Sequence, residues 1–337
     1  MSSEIVSGGF DIAKRVFAFC GVNKGGRVIT RKQMQRKEVL NYFAQLPPIT
    51  IGIEACGGSN YWARELTKLG HSVKLICAKF VIPYRRKGKN DINDAEAICE
   101  AIGRPGMHFV ADKTVDQQTI LMAHRIRSQS VATRTAIINQ LHGHLQEFGY
   151  VVSKGRHKLK RELGEILDDE TLSPLLVELL HDLLNALYRE EERIERLDNC
   201  IERWTKNDPL ASKLLTLDGV GVLTASAVVA TAGNASVFKN GRQFAAWLGL
   251  VPRQDSSGGK NRLLGITKRG DRYLRTLLVH GARTVLLMAT RGKGRHQDWI
   301  KSLRARKPDN VVAVAYADKQ ARMLWAIMAG KTYDTVG

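Results

Sequence analysis

The chain has 337 residues, 44% hydrophobic and 25% charged, which suits a globular protein with room for two or three cores. Against 33 Asp and Glu, 52 Lys and Arg leave a formal charge of +19, a field that draws polyanions, of which nucleic acid is the commonest in a cell. No window approaches the roughly 18 apolar residues of a spanning helix, and MSSEIVSGGFDIAKRVFAF lacks the basic-then-apolar order of a signal peptide, so no membrane partner and a cytoplasmic, bacterial-type, nucleoid-associated location are expected. Cys20, Cys56, Cys77, Cys99 and Cys200 are scattered without a C-x-x-C pair. That spacing excludes a disulfide framework and a zinc site and reads each cysteine as a small buried apolar residue.

The first region, residues 1–112, alternates strand and helix patterns. EIVSGGFDIAKRVFAFCGVN reads as strand, turn and strand, and GRVITRKQM completes an antiparallel meander. RKEVLNYFAQL is helical, ITIGIEA is short and β-branched enough for a buried strand, SNYWARELTKLG is helical with a terminal glycine, and HSVKLICA is a further strand. This order predicts an α/β domain on a mixed sheet.

Residues 113–207 read as helical throughout. Leu176, Leu180, Leu183, Leu187, Glu190, Ile194, Leu197, Ile201 and Trp204 alternate spacings of four and three, the repeat of a coiled coil with one polar interruption. An intermolecular seam and a helical hairpin folding back within one subunit both produce that pattern. The preceding stretch from Thr114 to Gly149 is the natural packing partner, with the basic SKGRHKLKREL joining the two. His142 and His144 read as ordinary helix residues.

Residues 208–337 open with LLTLDGVGVLTASAVVATAG, two helical segments hinged on Gly-Val-Gly that predict a helix-hairpin-helix-like element, whose glycines admit a phosphate close to backbone N–H groups. A plain helical turn has the same pattern. WLGLVPRQDSSGGKNRLLGITKRGDRYLR, rich in glycine, serine and base, precedes two further helices.

Four acids stand out. Asp91 and Asp94 in KNDINDAEAI are three apart at a helix start, where Asn90 or Asp91 could serve as a cap and the next acid would be favoured by the helix dipole. Asp11 in GGFDIAK and Glu54 at the end of ITIGIEA lie in otherwise apolar strands, where a carboxylate is costly without a compensating charge. Convergence of all four from two strands and a helix would suit a pair of Mg²⁺ ions, which take oxygen ligands and phosphate partners.

With KNDINDA at its end, the set Asp11, Glu54, Asp91 and Asp94 resembles the DEDD quartet of the RuvC-like, RNase H-like domain in the insertion-sequence transposases known as bridge-RNA-guided or seek-RNA-guided recombinases; the pilin-gene invertase Piv is similar. The run from LDGVGV to GDRYLR looks like that family's second, transposase domain, and the order of parts agrees over nearly the whole chain. The resemblance implies Mg²⁺ on the four acids, and a serine that attacks the scissile phosphate and becomes joined to DNA. It implies as partners DNA of the element ends and target, a noncoding guide RNA, and other copies of the chain as a dimer or tetramer. The matching serine in QDSSGGK is Ser257, selected because the family's serine precedes a glycine, with Ser256 adjacent. Lys260, Arg262, Lys268, Arg269, Arg272 and Arg275 would then contact phosphates, and the basic residues from Arg125 to Arg134 and from Lys154 to Arg161 could hold guide RNA.

Overall fold

A computed structural model describes residues 4–85, 88, 90–255 and 262–331, and the chain divides into two compact units. The first comprises residues 1–117 with 232–239, and the second residues 118–231 with 240–337.

The first unit is built on a six-stranded mixed sheet in the order β3-β2-β1-β4-β5-β6. Strands β1 (Ser7–Asp11), β2 (Val16–Val22) and β3 (Val28–Gln35) form the antiparallel meander; β4 (Thr50–Glu54) runs parallel to β1, and β5 (Ser72–Ile76) parallel to β4. The short antiparallel β6 (Phe109–Val110) closes one edge and was not legible from its two-residue length. Period-two alternation sorts the strands into two faces. One face sends Phe10, Phe17, Phe19, Ile51 and Ile53 into a core with Phe43 of α1 (Val39–Ala44) and Trp62 and Leu66 of α2 (Ser59–Lys68). Aromatic edge-to-face contacts at 5.1 Å, Phe10 with Phe43 and Phe17 with Trp62, fix this layer.

The opposite face is made of small residues. Gly9 of β1 pairs in register with Gly52 of β4, and Ala18 and Cys20 of β2 lie beside them. Helix α4 (Asp91–Ile102) rests on this floor. A Cβ on Gly9 would stand 2.1 Å from the Ala95 carbonyl oxygen, and one on Gly52 2.3 Å from Ile102 Cγ2. Between β5 and α4, the one-turn helix α3 (Ala78–Val81) and a 3₁₀ turn at Ile82–Tyr84 are held by Val81, which packs with Ile76, Ala97 and Ile98.

The second unit is helical but for one hairpin. Helices α5 (Val115–Glu147, beginning in the first unit), α6 (Arg156–Leu167) and α7 (Pro174–Asn207) occupy the predicted helical region; the basic joining segment is itself a helix. Every seventh residue of α7, Leu180, Leu187, Ile194 and Ile201, is buried. Leu180 and Leu187 pack with Ile137, Leu141 and Leu145 of α5 and Leu159 and Leu163 of α6, while Ile201 meets Ile120 and Ala123 of α5. The heptad seam is therefore closed within the chain, the hairpin alternative of the sequence pattern.

Helices α8 (Pro209–Leu214) and α9 (Val222–Ala232) flank the Gly-Val-Gly turn. Gly219, at φ +78°, lies against Gly281, whose missing Cβ would stand 2.0 Å from the Gly219 oxygen, so both glycines serve a close backbone crossing. After α10 (Gly241–Trp247) the glycine-rich stretch contains an unanticipated hairpin, β7 (Pro252–Gln254) with β8 (Leu263–Ile266). Three described helices follow rather than the two expected: α11 (Arg272–Thr290), the short α12 (Gln297–Arg304) and α13 (Asp309–Met328). The cysteine reading is corrected too: Cys20 and Cys99 are buried, but Cys56 and Cys200 are exposed. No helix among the described residues is long and apolar enough to cross a membrane.

Candidate active site

The two glycines that seat α4 also aim the acids. Two positions beyond Gly9 on the same face of β1 is Asp11, and two beyond Gly52 on β4 is Glu54. Both strands run the same way, so both carboxylates emerge at the carboxyl ends, where ligands gather in α/β sheets. Helix α4 starts there. Asn90 is the N-cap, its Oδ1 accepting from Asn93 N at 2.7 Å, while Asn93 Nδ2 donates to the Gly88 carbonyl at 2.9 Å. Capping thus falls to Asn90, which releases the acids of the first turn from that task. Asp94 is buried and Asp91 exposed.

The electrostatics show that the four carboxylates share one field. The Asp11 carboxyl is pushed up to about 6, first by burial, then by the negative charges of Asp94, Asp91 and Glu54; Arg85 opposes them. Burial, with Glu54 and Asp11 behind it, also raises the Cys56 thiol. The sequence reading missed the cation of the site. Arg85, immediately after the 3₁₀ turn, places Nε 2.9 Å from Asp94 Oδ1 and Nη2 3.2 Å from Glu54 Oε2. Its signal, one arginine within PYRRKGKND, did not mark which cation of the run folds back onto the acids.

Among the described residues no three His, Cys, Asp or Glu side chains stand close enough to enclose a metal ion; the present spacing serves the guanidinium. Divalent binding is supported by the chemistry of the donor set. All four groups are hard carboxylate oxygens, and their mutual repulsion, seen at Asp11, is what a small dication relieves.

Of the expected basic contacts, Lys268, Arg269 and Arg272 are exposed, and Lys268 is the only described non-glycine residue in left-handed backbone, at φ +53°. Arg262 is exposed and its carbonyl accepts from Asp255 N at 2.9 Å. Arg275 is half-buried and donates Nη1 to the Leu248 carbonyl at the end of α10, 3.0 Å away. Ser256, Ser257 and Lys260 lie outside the described residues. In the more amino-terminal basic group, Arg127 pairs with Asp198, and Arg156 and Lys160 with Glu191.

The second unit holds one further buried polar group absent from the sequence reading. His124 of α5 stands 3.0 Å from both Ser226 Oγ of α9 and Tyr273 Oη of α11. Ser226 spends its proton on the Val222 carbonyl at 2.6 Å, so its oxygen accepts from His124 Nε2–H, and Nδ1 accepts from Tyr273. Burial, assisted by Arg127, lowers this histidine to about 4 and keeps it neutral.

An acidic quartet at the strand ends of a mixed α/β sheet, within a strongly basic chain, defines a carboxylate site able to work on a polyanion. Comparison with known sequences gives the family. Residues 211–297 match the model described as transposase IS116/IS110/IS902 family, and residues 8–149 match the DEDD transposase model of IS110. The chain is 46% identical over 327 residues to a probable family 20 transposase of Pseudomonas aeruginosa, covering 96% of this chain and 97% of that one. It is 40% identical over 319 residues to the transposase for insertion sequence element IS1328 of Yersinia enterocolitica, 95% of each chain, and 39% identical over 322 residues to that for IS1111A of Coxiella burnetii, 95% of this chain and 88% of that one. The chain belongs to the IS116/IS110/IS902 family of transposases, and transposition is its general activity.

Proposed function

We propose that this transposase cuts and rejoins insertion-sequence DNA through a covalent phosphoserine intermediate, using Asp11, Glu54, Asp91 and Asp94 to hold Mg²⁺ and Ser257 as nucleophile, with element and target DNA chosen by pairing to an element-encoded RNA. The observation that carries the acidic half is the raised Asp11 carboxyl: four acids meet at one set of strand ends, with Arg85 as the opposing charge.

The chemistry balances without a co-reactant. Ser257 Oγ attacks the scissile phosphorus and gives up its proton; the bond from phosphorus to one deoxyribose oxygen breaks, and that oxygen leaves as a hydroxyl. One phosphodiester replaces another, so the bond energy is kept in the serine ester, and attack by a second deoxyribose hydroxyl rejoins the strands and frees the serine. When bound, Mg²⁺ supplies charge stabilisation at the phosphoryl oxygens. Asp11 and Glu54, rigid at the strand ends, and Asp91 and Asp94, on the capped first turn of α4, fix its location. Exposed Lys268, Arg269 and Arg272 bind the backbone, which leaves sequence choice to the RNA. DNA, guide RNA and further copies of the chain are the partners of this reading.

The test uses labelled element-end DNA and protein made together with the DNA flanking its gene. Wild type should yield a protein–DNA adduct that survives denaturation; S257A should abolish the adduct and strand transfer, while S256A retains both. Cleavage by S257A without any adduct points instead to a junction nuclease that uses metal-activated water. Sequencing the copurified RNA tests guidance: one discrete RNA complementary to element ends and target is expected, and only heterogeneous RNA that salt removes overturns it.

A further inference from the structure

The quartet already has a cation. Arg85 reaches the site because Val81 anchors α3 in the cluster beneath α4, and the turn at Ile82–Tyr84, with Pro83 inside it, delivers the next residue to the strand ends. Its backbone N donates to the Ile82 carbonyl at 3.1 Å, which fixes the start of the side chain. The fork then divides between two elements: Nη2 takes Glu54 Oε2 of β4, and Nε takes Asp94 Oδ1 of α4. One residue thus bridges the sheet and the helix that supply the acids, at contact distances of 3.2 and 2.9 Å.

Those oxygens are the ones a divalent cation at the quartet needs. A dication sits about 2.1 Å from its carboxylate oxygens. A guanidinium held between the same carboxylates would face it at close range, and like charges at such a distance repel strongly. We propose that Arg85 is a positioning residue that competes with the divalent cation: its guanidinium holds Glu54 and Asp94 together across the gap between β4 and α4, and cation binding expels it from both. This inference rests on the metal-binding reading of the quartet. It adds a set threshold, because cation affinity is what remains after an internal ion pair is displaced. The side chain is about one-third exposed, so it has an outward path.

Direct binding tests the idea without any reliance on activity. Mn²⁺ is titrated by calorimetry, with electron paramagnetic resonance of free Mn²⁺ as a second readout, into the full chain as wild type, R85Q, R85K, D11N and E54Q, each checked for fold by circular dichroism. Competition requires R85Q to bind about tenfold more tightly than wild type, the weight of one partly exposed charge-assisted contact. R85K, which keeps the charge but loses the fork, should fall between them, and D11N and E54Q should lose binding. If wild type binds and both Arg85 variants bind equally or more weakly, the competition is overturned while the quartet stands as a metal site. If wild type and every variant fail to bind Mn²⁺ at millimolar concentration, the metal reading fails, and the Arg85 proposal with it.

Discussion

Gly9 and Gly52 lie opposite one another on parallel strands, and α4 rests on both. The pair sets the height of the helix that carries Asp91 and Asp94 above the strands that carry Asp11 and Glu54. The two contacts differ in kind. At Gly9 an added methyl meets backbone, the Ala95 oxygen at 2.1 Å and the Cys99 nitrogen at 2.4 Å; at Gly52 it meets the side chains of Ile102 and Ile98. Gly9→Ala should therefore lift α4 bodily, costing about 3 kcal/mol of stability and most transposition. Gly52→Ala can be absorbed by rotamer shifts and should cost about 1 kcal/mol. Urea denaturation of both variants decides it, and equal costs would show that α4 is not seated by backbone contact at Gly9.

The basic residues near the hairpin separate by what they touch. Lys268, Arg269 and Arg272 are exposed, whereas Arg275 spends Nη1 on the Leu248 carbonyl. Alanine at any of the first three should leave the melting temperature within about 1 °C and reduce the salt-dependence slope of DNA binding by about one for each phosphate no longer neutralised. Arg275→Ala should instead lower stability by about 1 kcal/mol through the bond it breaks at the end of α10. Fluorescence anisotropy across a salt series, with thermal melts of the same proteins, checks both; an Arg275→Ala variant with unchanged stability would remove its structural role.

How far these features were legible follows from their physics. The strands were readable because VFAFC and ITIGI are short, β-branched or aromatic and bounded by turns, and the acids were conspicuous because carboxylates in such strands need compensation. Arg85 was not, since a run of cations looks solvated until a fold brings one of them back. The hairpin of β7 and β8 was hidden by proline, glycine and serine, which disguise short exposed strands as loop. His124, Ser226 and Tyr273 are separated by more than 100 residues or by 47, and no local pattern joins them. The α7 repeat was plain, but periodicity specifies a buried stripe and not the identity of the element that covers it.

Glu190 is the polar interruption in that stripe. Its Oε2 is buried with no hydrogen-bond partner among the described residues, while Oε1 lies 3.8 Å from Arg193. An unsatisfied carboxylate oxygen beside Leu187 and Ile194 is a cost that leucine would not incur. Glu190→Leu should raise stability by about 1 kcal/mol in urea denaturation. A loss of that size would mean that the carboxylate is satisfied outside the chain, as at an interface between copies, which sedimentation of the variant would reveal as a change of mass.

His124 makes stability depend on pH in a definable window. Its value falls from 6.5 in the unfolded chain to about 4 in the fold, chiefly because burial disfavours the imidazolium. Between those values the unfolded chain binds a proton that the native chain does not, so stability rises with pH across the window. The contribution is complete above about pH 6.5, and protonation of the unfolded state removes about 2 kcal/mol of it by pH 5. Carboxylates titrate in the same range, so the diagnostic quantity is the difference between two proteins. His124→Gln, which keeps a donor and an acceptor but no titrating ring, should be less stable than wild type at pH 7.5 and should lose about 2 kcal/mol less between about pH 7.5 and pH 5. Urea midpoints at half-unit pH steps measure that difference. Parallel curves for the two proteins would show that His124 titrates normally, and that the bonds to Ser226 and Tyr273 do not hold it neutral.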